Sequence, residues 1–301
     1  MTDWESWLRD AAKRPSDHEN RKRQLTEEQV SDALSEYEPL AGRDYIVYTK
    51  GSYKNNTNVR LNYDVDIAVE YRGYFYFDFI LGAENYGPTD AGINAPSSDT
   101  YARNDFKRDI RGALESAFGK SAVTAGDIAL RVREETMTLP ADVVPCWEYR
   151  RYDRLLAGRP AYSEGSRVYP ASGGHKDNFP EKQYTNGVAK NDRTHRRYKR
   201  MVRAFKKLQT RLVQDGLLDE ELASYFSECL AYNVPDIAFG HTNYVNDMNQ
   251  ILARIFNSTL DAGDYAEWEQ VHGLEYLFHG PFERSVAHHV ADVAWDAMGF
   301  E

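Results

Sequence analysis

The chain has 301 residues, and its 47 acidic against 37 basic residues give a net charge of −10. This acidic balance argues against broad binding to duplex nucleic acid, which needs a basic surface. The two cysteines, Cys146 and Cys229, form no CxxC pair, which disfavours a zinc ribbon or a thioredoxin-like site and suits a reducing compartment. No apolar run reaches the roughly 18 residues of a membrane span, and the N-terminus has no signal-peptide core. We therefore expect a cytoplasmic protein that does not enter a membrane.

The N-terminal half alternates predicted helices and strands. Apolar periodicity predicts helices over residues 3–13, 26–41 and 101–119, the second of them beginning at Thr26. Strands are predicted over residues 44–49, 62–70, 128–132 and 138–149, and residues 71–79 continue as a strand or an extended loop. Residues 82–99 read as an exposed loop. Pro145 in the last strand predicts a sheet edge or a strand end.

The C-terminal half is predicted to be almost entirely helical. Residues 158–192 are dense in Gly, Pro, Ser and Asn, which predicts a long irregular segment. Helices follow over residues 193–214, 219–231, 242–256, 261–273 and 284–297. The chain is therefore expected to join a mixed α/β half to an α-helical half.

A short stretch after the first predicted strand carries the strongest chemical signal. A Gly51-Ser52 turn is followed by Asp64 and Asp66, and this Asp pair opens an apolar run. Strand side chains alternate between faces, so the two carboxylates point the same way and repel unless a cation lies between them. The pattern predicts paired Mg²⁺ ions for phosphoryl or nucleotidyl transfer, with Gly51 and Ser52 contacting a triphosphate. The alternative is a hairpin that presents two surface aspartates.

A third carboxylate is expected from a neighbouring strand, because two-metal transfer needs a group that orients and deprotonates the attacking hydroxyl. Asp142 is the best candidate, since it lies in an otherwise apolar stretch where a lone charge needs a reason. Glu134, Glu135 and Glu148 are rivals in more polar surroundings. The alternative role for Asp142 is to cap a turn at a strand end.

The predicted helix that begins at Arg193 is unusually basic for an acidic protein. Nine Lys or Arg residues lie between residues 193 and 211. Lys199, Arg203 and Lys206 share one face at i, i+4 and i+7 spacing. This positive surface suits a triphosphate. The alternative is a solvated basic face that pairs with acidic helices.

Taken together, Gly51-Ser52, Asp64-x-Asp66 and Asp142-Val-Val-Pro145 resemble the polymerase-β-like nucleotidyltransferase superfamily. More narrowly, the chain resembles the bacterial cGAS/DncV-like nucleotidyltransferases (CD-NTases), and among them the CdnE clade, over about residues 40–240. The run Asn-Asn-Thr-Asn-Val-Arg that ends at Arg60 is specific to a subset of this family. Residues 184–191, 197–203 and 224–235 also match. One departure is Lys50, where we expect Gln.

The resemblance implies an α/β (α+β) fold in which a nucleotidyltransferase core with a mixed sheet and a helical C-terminal lobe form a bilobed cage. It implies a core over residues 1–160, which includes the N-terminal helices, and a helical lobe over residues 161–301 that closes the cleft. It also implies two Mg²⁺ ions, with Mn²⁺ as a substitute, on Asp64, Asp66 and Asp142. The implied contacts to the donor triphosphate come from Ser52, from Ser224 and from either Lys199 or Arg203.

The implied activity is synthesis of a cyclic oligonucleotide, most simply a cyclic dinucleotide, as a second messenger for anti-phage (CBASS) defence. The product would act through a downstream effector. UTP, ATP or both are the expected substrates, and Asn178 favours UTP because its amide can donate to and accept from a uracil edge. The alternative is that Asn178 only shapes the turn before Pro180. The chain lacks the zinc-binding insert of animal DNA sensors, so no nucleic-acid activator is expected, and the caged fold can work as a monomer.

Two other classes of function stay open. A nucleotidyltransferase can instead tail an RNA or AMPylate a protein, although such enzymes are often shorter or carry a basic RNA-binding surface that this chain lacks. A non-catalytic binding module could also retain the fold. The presence of all three carboxylates argues against that third class.

Overall fold

The structure is a computed structural model that describes residues 3–59, 65–82, 85–95, 97–133 and 137–300. Its contacts divide the chain into two compact units. We call residues 17–50 and 63–181 the sheet unit. The helical unit consists of residues 1–16, 51–62 and 182–301, so two segments of the N-terminal half pack with the C-terminal helices.

One mixed sheet forms the centre of the sheet unit. Its strands in the described residues are β1 (Tyr45–Thr49), β2 (Val65–Phe79), β3 (Val123–Ala125), β4 (Leu130–Val132), β5 (Ala141–Leu156), β6 (Arg159–Val168) and β7 (Lys176–Asn178). The strand order is β1-β2-β5-β4-β3, and β6 pairs with β5 and with β7. β2 and β5 run parallel, whereas the other pairs are antiparallel. The expected boundary after residue 160 falls inside β6.

Pro145 lies inside β5, so the expectation of a sheet edge or strand end is wrong. On one side, β5 pairs with β4 as far as Val143 and with β6 from Trp147 onward. Pro145 therefore lies where β5 changes partner. Proline has no N–H to donate, and neither antiparallel neighbour pairs with this position.

The stretch 158–192, predicted to be irregular, instead contains β6, β7 and most of a helix, α5 (Pro180–Arg193). Gly165 in β6 shows why its composition was misleading. A Cβ atom at that position would lie 2.6 Å from the Asn178 carbonyl oxygen. Glycine here permits close pairing of β6 with β7 and does not mark a loop.

Two helices pack together in the sheet unit, α2 (Asp17–Ser35) and α4 (Arg103–Phe118). The α4 prediction is confirmed, and its Phe106, Ile110 and Leu114 are fully buried. The prediction that the second helix begins at Thr26 is wrong. Thr26 lies in mid-helix, buried, and its hydroxyl donates to the Lys22 carbonyl. The preceding turns are polar, so apolar periodicity gives no signal for them.

The helical unit contains, besides α5, the helices α1 (Trp4–Ala11), α3 (Gly51–Lys54), α6 (Tyr198–Gln214), α7 (Ser224–Asn233), α8 (Tyr244–Ser258) and α9 (Arg284–Met298). Five of these helices, α1, α6, α7, α8 and α9, share one apolar core, which includes the fully buried Leu8, Phe205, Leu230, Ile251 and Ala291. None of the helices in the described ranges combines the length and the apolar character needed to cross a bilayer.

Most of the predicted C-terminal helices are confirmed, with three differences. α7 begins at Ser224 and not at residue 219. α6 begins at Tyr198 and not at Arg193, because residues 194–197 form a turn in which His195 and Arg196 have φ values of 49° and 64°. Residues 261–273 form turns with a short 3₁₀ segment at Tyr265–Glu267, so the predicted α-helix there is wrong. A Cβ atom at Gly263 would lie 2.1 Å from the Ser258 carbonyl oxygen. The chain turns back so closely after α8 that only glycine fits at this position.

Candidate active site

Asp66 and Asp142 are direct partners across the parallel strands β2 and β5. Each is the second residue of its strand, and the residues on either side of both are buried apolar side chains. Paired residues on neighbouring strands about 4.8 Å apart point to the same face, so the two carboxylates are neighbours. Asp64, the other predicted carboxylate, lies outside the described residues, as do the rivals Glu134 and Glu135.

Asp142 is held by a cationic partner. Arg131 is its register partner on β4, and the guanidinium Nε and Nη2 atoms lie 3.0 and 3.3 Å from the two carboxylate oxygens. The Arg131 side chain is 60% exposed, so a competing cation can displace Arg131 from Asp142. Within the described residues, no three acidic, His or Cys side chains cluster closely enough to hold a metal ion. The Asp66–Asp142 pair nevertheless offers the hard oxygen ligands that Mg²⁺ takes, and Arg131 shows that this position attracts positive charge.

The Gly-Ser loop, which we define as residues 51–58, belongs to the helical unit. Gly51 has a φ of 68°, a left-handed conformation that favours glycine. The one-turn helix α3 follows, closed by a hydrogen bond from the Asn55 N–H to the Gly51 carbonyl. The N–H of Thr57 donates to the Ser52 carbonyl at 2.9 Å. These bonds fix the backbone of the predicted triphosphate-binding turn.

Charged side chains of α6 and α7 hold the second half of this loop. Thr57 donates its hydroxyl to the Glu228 carboxylate at 2.9 Å, and its carbonyl accepts from Lys206 Nζ at 3.2 Å. Arg203 donates through Nη1 to the Asn56 carbonyl at 2.5 Å. The three charged residues are 2%, 6% and 5% exposed, respectively. Helical spacing predicted that Arg203 and Lys206 lie on a ligand-binding face, and it gave no signal for the roles of Glu228, Thr57 and Arg131.

The structure separates the two rival phosphate-contacting residues of α6. Arg203 also donates from Nε to the Ala12 carbonyl, so two of its N–H groups are hydrogen-bonded to main-chain carbonyls. Burial, with the positive charge of Arg200, lowers the Arg203 pKa to about 10. Lys199 is 8% exposed and forms no ion pair with a carboxylate among the described residues. Its Nζ lies 5.4 Å from the centre of the Tyr184 ring, and Lys54 Nζ from the Gly-Ser loop lies 5.9 Å from the same ring.

Ser224 and Asn178 lie in different units. Ser224 is the exposed first residue of α7, one helical turn before Glu228 and therefore on the face of α7 that holds the Gly-Ser loop. Asn178 ends β7 in the sheet unit, exposed and paired with Ser166, so it is part of a strand and not of a loop. The structure thus brings Ser52, Lys199 and Ser224 into the helical unit, and Asp66, Asp142 and Asn178 into the sheet unit.

Known proteins resemble this chain over most of its length. Residues 185–299 match the cGAS/DncV-like nucleotidyltransferase C-terminal helical domain. The cyclic dipyrimidine nucleotide synthase CdnE of Cecembia lonarensis is 36% identical over 278 residues, which cover 92% of this chain and 91% of that protein. The cyclic dipurine nucleotide synthase of Elizabethkingia meningoseptica is 33% identical over 265 residues, which cover 86% and 87% of the two chains.

A solved structure agrees with these sequence matches. The Rhodothermus marinus CdnE c-UMP-AMP synthase, solved with Apcpp and Upnpp, has a TM-score of 0.80 and 31% identity, covering 99% of this chain and 98% of that one. These findings confirm the expected mixed α/β fold with a helical C-terminal domain. The chain therefore belongs to the cGAS/DncV-like nucleotidyltransferases, and within them to the CdnE clade.

Proposed function

We propose that this chain joins two nucleoside triphosphates into a cyclic dinucleotide. The observation that carries the proposal is the register pairing of Asp66 with Asp142, which makes two motif carboxylates neighbours on adjacent strands. The relatives support it, because their names describe synthases of cyclic dipyrimidine, cyclic dipurine and cyclic UMP-AMP products. Small-molecule product formation also suits the net charge of −10 better than binding to nucleic acid.

In the proposed reaction, the 3′-hydroxyl of one nucleotide attacks the α-phosphate of another, and the bond to the bridging oxygen of the β-phosphate breaks. Pyrophosphate leaves, and the hydroxyl proton passes to the Asp142 carboxylate. A second transfer of the same kind closes the ring. Asp66 and Asp142, together with Asp64, would hold two Mg²⁺ ions, with Mn²⁺ as a substitute. When bound, such ions neutralise charge on the reacting phosphate and lower the pKa of the attacking hydroxyl.

The triphosphate of the donor nucleotide is assigned to the helical unit. We assign contacts to the backbone at Gly51, to the hydroxyls of Ser52 and Ser224, and to the ammonium of Lys199. Lys199 is preferred to Arg203 because Arg203 already donates to two main-chain carbonyls, whereas Lys199 has no carboxylate partner among the described residues. Catalysis then rests mainly on positioning and charge neutralisation.

The bases of the product are the finer part of the proposal. The three relatives are named for pyrimidine, purine and mixed products, so family membership does not fix the choice. We propose UTP, ATP or both as substrates. Asn178 is exposed at the end of β7, where its amide is accessible to a base edge. An unmatched polar group in a tight base site costs about 1–3 kcal/mol, enough to set a preference.

Incubation with all four NTPs, one radiolabelled at a time, tests the proposal in the presence of Mg²⁺ or Mn²⁺. After phosphatase treatment, we expect one resistant product whose labels identify its bases. An Asp66→Asn sample is the matched blank. A label that stays on an added RNA or protein acceptor, with no resistant small nucleotide, would contradict the proposal and favour a macromolecule-modifying transferase.

Arg131→Ala should strengthen Mg²⁺ binding. In the wild type, the guanidinium competes for the Asp142 carboxylate, and exposed ion pairs of this kind contribute about 0.2–1 kcal/mol. We expect the Mg²⁺ concentration for half-saturation to fall by up to about fivefold, measured by calorimetric titration with a non-hydrolysable NTP present. Arg111→Ala, which removes an exposed pair on α4, is the control and should change nothing. Weaker Mg²⁺ binding in Arg131→Ala would mean that Arg131 organises the site.

The proposed biological role follows from the family resemblance. The cyclic product would be a second messenger of anti-phage (CBASS) defence that acts on a cyclic-nucleotide-activated effector, in the cytoplasm. We propose that the chain works as a monomer without a nucleic-acid activator.

A further inference from the structure

A cavity of about 370 Å³ within the helical unit has the lining of an anion-binding site. Three of its basic side chains are exposed and two are more than nine-tenths buried. The exposed ones are Arg14, Arg196 and Arg200, and the buried ones are Lys199 and Arg203. Among the described residues that line the cavity, Asp192 is the acidic one. Five positive charges thus meet one negative charge, in a protein whose net charge is −10.

These cations lack the partners that usually balance such a cluster. Within the described ranges, none of the five forms an ion pair with a carboxylate, and Arg200 has only a 3.4 Å contact with the Tyr244 hydroxyl. The charges of Arg200 and Arg14 add to burial in lowering the Arg203 pKa, so they repel one another across the cavity. Like charges in a partly buried site are costly unless an anion lies between them.

The backbone that carries one of these arginines is strained. His195 and Arg196 are consecutive non-glycine residues in the left-handed region. Their N–H groups donate to the Asp192 and Asn191 carbonyls at 3.0 and 2.6 Å, which holds the turn between α5 and α6. Left-handed non-glycine residues are uncommon and concentrate at ligand sites, where the surrounding structure maintains them. Arg196 therefore reaches the cavity from the turn between α5 and α6, and not from either helix.

The chemistry of the lining identifies the class of ligand. Arginine forms paired hydrogen bonds with phosphate oxygens, and four of the five cations are arginines. The cavity volume lies at the small end of ligand pockets, which suits a chain of phosphates better than a whole nucleotide. Asn56 of the Gly-Ser loop also lines the cavity, whereas Gly51 and Ser52 do not.

We propose that this cavity binds an oligophosphate anion through Arg14, Arg196 and Arg200, and that it shares Lys199 with the donor contacts assigned to Gly51, Ser52 and Ser224. The ligand is either the triphosphate tail of a substrate or a separate polyphosphate. The first source rests on the proposed function, because that reaction uses two triphosphates. A separate polyphosphate ligand does not depend on the proposed function.

Calorimetric binding of inorganic tripolyphosphate to the full chain, without Mg²⁺, tests the proposal. We compare the wild type with an Arg196→Ala/Arg200→Ala variant, whose substituted side chains are exposed and should not be needed for folding. Each lost arginine should weaken binding about tenfold. Lys207→Ala, on the same helix but outside the cavity, is the control and should bind like the wild type. Equal affinity in all three proteins, or no wild-type binding below the millimolar range, would overturn the proposal.

Kinetics then separates the two sources. For a substrate tail, the double variant should raise the KM for NTP with little change in kcat, and tripolyphosphate should compete with NTP. For a separate ligand, the KM should stay constant and tripolyphosphate should change the rate without competing. Because the binding measurement needs no turnover, failure to form a cyclic product would refute the proposed function and leave the cavity test intact.

Discussion

Asp66→Asn and Asp142→Asn should each reduce cyclic-nucleotide synthesis about a thousandfold, equivalent to roughly 4 kcal/mol of transition-state stabilisation. Asparagine keeps the size of the side chain but removes the negative charge that a hard cation requires. The two residues are partners on adjacent strands, so losing either one halves the same carboxylate pair. The measurement is the rate of pyrophosphate release at saturating Mg²⁺, with product chromatography. The sequence pattern predicts the same loss for Asp64→Asn.

Two comparisons make this prediction specific. Asp32→Asn changes an exposed aspartate on α2 and should retain wild-type activity. The free energy of unfolding of Asp66→Asn, measured in urea, should stay within about 1 kcal/mol of the wild type, since the substitution keeps the size of the side chain and removes the repulsion between two neighbouring carboxylates. If Mg²⁺-dependent pyrophosphate release persisted at the wild-type rate in both active-site variants, the metal assignment would be wrong.

Glu228→Ala should lower the free energy of unfolding by roughly 3 kcal/mol, because it leaves buried donors without their acceptor. The carboxylate accepts from the Thr57 hydroxyl at 2.9 Å and from the Gln183 amide at 3.3 Å. It also provides negative charge near Lys206, whose pKa burial lowers to about 8. The measurement is urea unfolding. The KM for NTP should rise as well, since Thr57 belongs to the Gly-Ser loop.

Matched variants separate the buried role of Glu228 from a general effect of charge. Glu221→Ala removes an exposed carboxylate just before α7 and should change stability by less than about 0.5 kcal/mol. Glu228→Gln keeps an acceptor oxygen and should recover part of the lost stability and part of the KM. A loss below about 1 kcal/mol for Glu228→Ala would show that water replaces the carboxylate and that the loop does not depend on it.

The sequence by itself determined the elements whose signals are local. Apolar positions at helical spacing defined α4, and the apolar run that follows the Asp pair defined β2 with Asp66 near its start. Asp142 was found because a lone carboxylate in an apolar run is costly, which makes it conspicuous. The same reasoning could have found Glu228, which lies between buried residues of α7. Composition failed at residues 158–192, where glycine permits close strand pairing and does not mark a loop.

Only the tertiary structure decided which distant residues meet. Asp66 and Asp142 are 76 positions apart, and their pairing follows from the parallel register of β2 and β5. Thr57 and Glu228 are separated by 171 positions, and their hydrogen bond forms because α7 packs on the Gly-Ser loop. Helical spacing placed Lys199 and Arg203 on one face as equals. The fold distinguished them, because burial against main-chain carbonyls occupies Arg203 and leaves Lys199 without a carboxylate partner in the described residues.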